Sequence, residues 1–234
     1  MTASLQLSLC ETDGRVQAIE AAIDQVLLVG YSGRDRAAVL EHIHELELLG
    51  VRPPERVPTI YPVRSELLTT ESRLVLDTAE TSGEAEFFFL GSAYGWLVGV
   101  GSDHTDRRCE AIDVAASKSR CGKVLSREVW RLSALEAHWD RLELRAWTTD
   151  AGGRRPYQQG RLETLLPVPQ LIAEVERSGF ATERRLIFGG TLPTLGGFAF
   201  GSHFEVELLD PVLQRQLRCA YSVVVRSPQG GAGS

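Results

Sequence analysis

Two carboxylates stand two residues apart in Ser82-Gly83-Glu84-Ala85-Glu86, directly ahead of the apolar run Phe87-Phe88-Phe89-Leu90. In a β-strand, side chains at i and i+2 project from the same face, which sets Glu84 and Glu86 side by side. Like charges that close repel, and each raises the other's pKa. A fold accommodates them in open solvent or with a cation between them. A second strand-like stretch, Val98-Gly99-Val100-Gly101-Ser102, ends on Asp103, which offers a third carboxylate oxygen. Three carboxylates converging from strand ends suit a hard divalent ion such as Mg²⁺ or Mn²⁺. The wet face of an edge strand meets the same spacing, and spacing alone leaves both readings open.

Composition narrows the field. The chain of 234 residues carries 25 Lys and Arg against 31 Asp and Glu, and its basic residues are scattered rather than gathered in a stripe. No nucleic-acid partner is expected. Cys10, Cys109, Cys121 and Cys219 show no CxxC spacing and no accompanying His pair, so free thiols in a reducing compartment are expected rather than a zinc site. Residues 1–6 lack a basic leader, and no apolar run approaches the roughly 20 residues of a membrane span, so a cytoplasmic protein without membrane contact is expected. Gly99-Val100-Gly101 is followed at the third position by His104, which breaks the dinucleotide fingerprint. No phosphate loop and no Gly-x-Ser-x-Gly elbow occurs.

In chain order, strands are expected at 4–9, Val26–Gly30, 59–64 at a sheet edge, Arg73–Leu76, 84–90 and 96–100. A helix over 35–49 has Val39, Leu40, Ile43 and Leu46 as its inner stripe, with Gly50 as its stop. Three prolines in Arg52–Pro58 make an extended connector. A helix is expected over 106–119 and a short one from Ser133 to Trp139. A strand at 141–147 turns at Asp150-Ala151-Gly152-Gly153 and returns antiparallel through Tyr157-Gln158-Gln159. Then follow a helix over 169–177, a strand at 185–191 ending in a glycine corner, and an antiparallel pair at 203–209 and 217–225. The Gly- and Ser-rich tail 227–234 is expected to be disordered. Many short strands with few helices indicate a β-rich α+β class.

The order of these features resembles the fumarylacetoacetate hydrolase superfamily, and within it a bacterial branch marked by the segment Gly-Ser-Asp-His-Thr-Asp-Arg at 101–107. The resemblance runs from about Val26 to Val225. It implies a mixed β-roll or sandwich with peripheral helices, built as one catalytic domain over 1–226 with an N-terminal strand and lid helix in 1–55. It implies Glu84, Glu86 and Asp103 as metal ligands for Mg²⁺ or Mn²⁺, with Arg107 beside them and Lys118-Ser119 near the substrate. Gln158 and the corner Gly190-Thr191, with Pro193, correspond to residues around the family's pocket. A homodimer is implied as well.

One departure stands out. Where the family pattern Val-Gly-x-Asn-Tyr-x-x-His places a histidine, this chain reads Val29-Gly30-Tyr31-Ser32-Gly33-Arg34-Asp35-Arg36. His42 and Glu45, spaced i,i+3 on the expected helix, are a candidate replacement dyad, although a solvated helix face reads the same way. His104 is a second acid–base candidate, or an outer-shell group that orients the carboxylates. Lys118, with Arg64 or Arg107, is expected to neutralise a substrate carboxylate or growing oxyanion, and Lys123 lies close enough to substitute for Lys118. The expected activity is metal-dependent hydrolysis of a C–C bond in a small 2-oxo acid or acylpyruvate, through an enolate. Decarboxylation or tautomerisation at the same site is the nearest alternative. A non-catalytic binding module is the reading that Arg36 favours.

Overall fold

The computed structural model describes residues 2–48, 50, 52–180 and 183–226, with the side chain of Leu46 set aside. Leu49, the Leu46 contribution to the helix stripe and the tail 227–234 lie outside the described residues.

The larger of two main sheets runs in the order β2 (Val16–Ile23), β1 (Ala3–Cys10), β12 (Glu128–Arg131), β9 (Gly95–Asp103), β8 (Ala85–Ser92), β15 (Arg185–Thr191), β3 (Gln25–Gly30) and β4 (Thr59–Val63). Short β11 (Lys123–Leu125) pairs with β9 and with β5 (Leu68–Thr69) at one end. The second sheet runs β14 (Gly153–Arg161), β13 (Glu143–Asp150), β16 (His203–Asp210), β17 (Arg215–Val225) and β6 (Arg73–Leu76). A two-stranded ribbon, β7 (Thr81–Ser82) with β10 (Thr105–Asp106), closes over the end of β8 and β9. The helices are α1 (Arg36–Leu48), α2 (Arg107–Glu110), α3 (Val114–Lys118) and α4 (Val168–Arg177). Among the described residues no helix is long and apolar enough to cross a membrane. This is the β-rich α+β class that the chain's many short strands imply.

Alternation along β8 divides the core. Ala85, Phe87 and Phe89 join one buried cluster with Val206, Leu208, Leu217 and Tyr221, where the two sheets face each other. Phe88 and Leu90 point the other way, into a second cluster with Leu5, Leu7, Ile19, Val26 and Phe188. That cluster draws on strands from both ends of the larger sheet, so the sheet curls around it. Glu84 and Glu86 continue this second face toward the strand's start. Gly99 and Gly189 are small because rings lie over them: an added Cβ would come within 2.1 Å of Phe88 or 2.0 Å of Phe87, respectively.

Three local expectations change. The single helix over 106–119 is two short helices, because Asp113 is extended and its carboxylate accepts from the Ala116 N–H, capping a new start. The α1 stripe is incomplete: Ile43 is buried, Val39 half-buried and Leu40 exposed, since this helix lies on the surface. Ser133 caps nothing, and the segment around it is 3₁₀ in character with no side-chain cap. Strand β2 went unread because Ala18 and Ala22 blur its alternation.

Phe87 is fully buried and meets Trp139 edge-to-face at 5.0 Å between centroids. Phe87→Ala is expected to lower stability by about 3–5 kcal/mol, read from the urea unfolding midpoint.

Candidate metal and substrate site

Strand register assembles this site from segments far apart in sequence. Ala85 pairs with Ser102 and Glu86 with Gly101 across β8–β9, and the Asp103 N–H donates to the Glu84 carbonyl at 3.0 Å. Lys123 pairs with Asp103 across β9–β11. Side chains on one face of neighbouring strands therefore bring Glu84, Glu86, Asp103 and Lys123 together. Gly101, opposite Glu86, leaves that position without a side chain. Carboxylate oxygens of Glu84, Glu86 and Asp103 lie within 4.8 Å of one another, and all three residues are at least largely buried.

Cations balance this charge. Lys118 Nζ lies 2.5 Å from Glu84 Oε2 and 2.7 Å from Asp103 Oδ2, and Lys123 Nζ lies 2.5 Å from Asp103 Oδ1. Arg107 donates from Nη1 to Glu84 Oε1 at 2.8 Å and to Glu110 Oε2 at 2.6 Å, and from Nε to Ser82 Oγ at 2.7 Å. The Phe198 ring covers its guanidinium at 4.2 Å. Burial opposes charge on Glu84, but Lys118 and Arg107 outweigh it and hold its carboxyl well below the usual range. Burial also opposes charge on Lys118, and Asp103 and Glu84 outweigh that, raising its pKa.

Glu86 is different. Its carboxylate accepts the Gly190 N–H at 2.8 Å, while burial, then Asp103 and Glu84, push its pKa well above the ordinary value. Gly190 offers that amide from a register shift in β15, at φ 102. A Cβ there would lie 1.8 Å from Ser32 Oγ, so this position demands glycine. A buried carboxylate pressed by two others is the environment that a hard cation relieves. All-oxygen donors at this spacing fit a divalent ion of the magnesium or manganese type.

A family model described as a protein of unknown function, DUF2848, matches residues 29–221. The chain belongs to this family. No curated protein matches it. Among solved structures, one titled "Crystal structures of Cg1458" superposes with TM-score 0.65 at 14% identity, covering 87% of this chain and 77% of that one. Another, "2-keto-3-deoxy-D-arabinonate dehydratase complexed with magnesium and 2,5-dioxopentanoate", gives TM-score 0.59 at 16% identity over 86% and 73% of the respective chains. These likenesses show the fold, which is fumarylacetoacetate-hydrolase-like.

The remaining expected site residues of this DUF2848 chain fall into place unevenly. Gln158 is buried; its Oε1 accepts the Ala85 N–H at 2.9 Å, and its Nε2 donates to Thr191 Oγ1 at 2.7 Å and to the Leu192 carbonyl. Thr191 Oγ1 in turn donates to the Ala85 carbonyl at 2.9 Å. These two residues therefore clasp the strand between the two glutamates. His104 sits one residue past Asp103 and so faces the other way, with Nδ1 2.7 Å from the Tyr221 hydroxyl. That hydroxyl donates to Ser102 Oγ at 2.8 Å, and Ser102 Oγ accepts the Glu84 N–H. Burial, then Lys123 and Arg107, lower the His104 pKa to about 3, so the imidazole is neutral. The imidazole is thereby linked through Tyr221 and Ser102 to the Glu84 backbone rather than to a carboxylate.

His42 and Glu45 are not brought to the carboxylates. They lie on α1 with side chains 61% and 67% exposed, 3.6 Å from each other. Arg64 is exposed and makes no ion pair among the described residues. Glu110, Ser82 and Tyr221 escaped the sequence reading, since only strand pairing and the short α2 bring them here.

The opposite pKa shifts of the two glutamates predict opposite effects at neutral pH with a chelator present. Glu84→Gln removes the partner of two buried cations and costs up to about 3–5 kcal/mol. A folded pKa below the unfolded one stabilises above the unfolded value, and that contribution disappears as pH falls below about 4.5. For Glu86 the sign reverses: stability is full below the unfolded value and is lost as pH rises from there through the raised folded pKa. Glu86→Gln is therefore neutral or stabilising in chelator, measured by urea unfolding from pH 4 to 8.

Proposed function

We propose that this protein is a divalent-metal-dependent enzyme acting on a small 2-oxo acid or acylpyruvate, with Glu84, Glu86 and Asp103 holding Mg²⁺ or Mn²⁺. The observation that carries the reading is the buried Glu84-Glu86-Asp103 set, with oxygens within 4.8 Å, ringed by Lys118, Lys123 and Arg107. A bound ion supplies Lewis-acid polarisation of the substrate carbonyl. The chain's own groups do the rest. Lys118 and Arg107 hold Glu84 ionised, and Lys118 and Lys123 set positive charge against the two Asp103 oxygens. Lys118, with its ammonium part-buried beside Glu84, offers positive charge to a substrate carboxylate or a developing oxyanion. Gly190 holds the Glu86 carboxylate and Thr191 the Ala85 backbone at the β15 corner, and Arg107 fixes the Glu84 carboxylate in one orientation.

Hydrolytic C–C cleavage is the reaction the sequence resemblance implies, and it requires a base beside the attacking water. His42 and Glu45 stand apart from the carboxylates, which favours a second reading: elimination, decarboxylation or tautomerisation through the same enolate. The fold neighbour named as a 2-keto-3-deoxy-D-arabinonate dehydratase, solved with magnesium and 2,5-dioxopentanoate, agrees with that reading in substrate class. The branch marked by residues 101–107, a homodimer and a cytoplasmic setting complete the proposal.

Calorimetric titration of Mn²⁺ tests the centre. Glu86→Gln should weaken binding by more than the roughly 10–100-fold that follows loss of an outer-shell group. No binding by the unsubstituted protein, or equal binding by both, overturns the metal assignment. With metal present, acylpyruvates, oxaloacetate and 2-keto-3-deoxy acids separate the reactions by their products.

A further inference from the structure

Proton transfer needs a group that reaches both the carboxylate cluster and water, and the residues first considered for it do not. His104 is buried and turned to Tyr221; His42 and Glu45 are on the exposed face of α1. Glu110, at the end of α2, meets both requirements. Its Oε2 accepts from Arg107 Nη1 at 2.6 Å, and the same nitrogen donates to Glu84 Oε1 at 2.8 Å. Its Oε1 lies 4.0 Å from Lys118 Nζ, the ammonium that touches both Glu84 and Asp103. The Glu110 side chain is 21% exposed, against 12% for Glu84 and 1% for Asp103, so it stands at the water-facing end of the cluster.

The surroundings mark the same place. Tyr31 takes φ 58, a conformation that a bulky residue rarely adopts and that concentrates at functional sites. It is held there through Ser32, whose Oγ donates to the Gly189 carbonyl at 2.8 Å, next to the Gly190 amide that binds Glu86. The half-buried Tyr31 and Tyr61 phenols lie in the electrostatic field of Glu110 and Lys118, and α3 packs on β4, the strand that carries Tyr61.

We infer that Glu110 is the catalytic proton-transfer residue of this site, taking a proton from the carbon next to the carbonyl of a 2-oxo acid and returning it. The C3–H bond breaks, its electron pair moves into a C2–C3 double bond and onto the carbonyl oxygen, and the proton passes to a Glu110 carboxylate oxygen. Reversal restores the keto acid, so the step needs no further reactant. The inference rests on the proposed 2-oxo acid chemistry and names its base.

Deuterium exchange into the C3 position of pyruvate and 2-oxobutyrate, followed by proton NMR in D₂O with Mg²⁺, tests it. Glu110→Gln should slow exchange by roughly 10²–10⁴-fold while Mn²⁺ affinity, measured calorimetrically, stays at the parent value. Glu110→Asp should restore part of the rate. Undiminished exchange in Glu110→Gln overturns the assignment. So does parallel loss of exchange and Mn²⁺ affinity in both variants, which would make Glu110 a strut for Arg107. Absence of exchange in the unsubstituted protein, with Mn²⁺ still bound, overturns the enolate reading itself, and the role of Glu110 falls with it.

Discussion

Burying three carboxylates at the end of two strands is the constraint around which the rest of this molecule is arranged. Moving a single carboxylate out of water without a partner is far too costly for a marginally stable domain to absorb, and three together compound the cost by repulsion. The fold answers with the pairing of β8, β9 and β11, which places Lys123 directly across from Asp103. It then brings Lys118 from α3 onto the other Asp103 oxygen and onto Glu84, whose second oxygen takes Arg107 from α2. The two short helices have little apolar surface of their own. Their position follows from the ion pairs they supply as much as from packing.

The same strand that carries the charges anchors the core, which keeps the site rigid. Residues on one side of β8 fill the space between the sheets, and those on the other fill the curl of the larger sheet. Shifting β8 by one residue would turn the glutamates into the inter-sheet core and exchange the side chains that fill the two clusters, so register is strongly specified. Hydrogen bonds from Gln158, Thr191 and Gly190 hold the backbone and carboxylate of this short stretch from the β15 side. Behind it, His104, Tyr221 and Ser102 form a chain that satisfies buried polar atoms. Little freedom remains for Glu86 and Asp103, as a preorganised centre requires.

Much of this could be read from the chain itself. The i,i+2 spacing of Glu84 and Glu86, the apolar run after them and Asp103 at the end of the next strand define the carboxylate set through local periodicity, because a strand's side-chain period is fixed. The turn at Asp150–Gly153 and the strands on either side of it follow from glycine chemistry and alternation in the same way. Alternation fails where alanines blur it, as in β2, and helix patterning fails where a capping aspartate interrupts it, as at Asp113.

Other features depend on contacts that no local pattern encodes. Whether Glu84 and Glu86 face water or a buried cluster is undecidable from spacing, since an exposed edge strand shows the same residues; pairing on both sides of β8 settles it. Gln158 and Thr191 were expected near the site only through the family resemblance, and their bonds to the Ala85 backbone arise only when β14, β15 and β8 converge. His104 looked like an acid–base group beside Asp103, and strand alternation turns it to the opposite face. Sequence alone determined which residues carry the charge and which strands hold them. Tertiary structure decided which cations meet them, because ion pairs form across strands separated by tens of residues and obey distance in space, not along the chain.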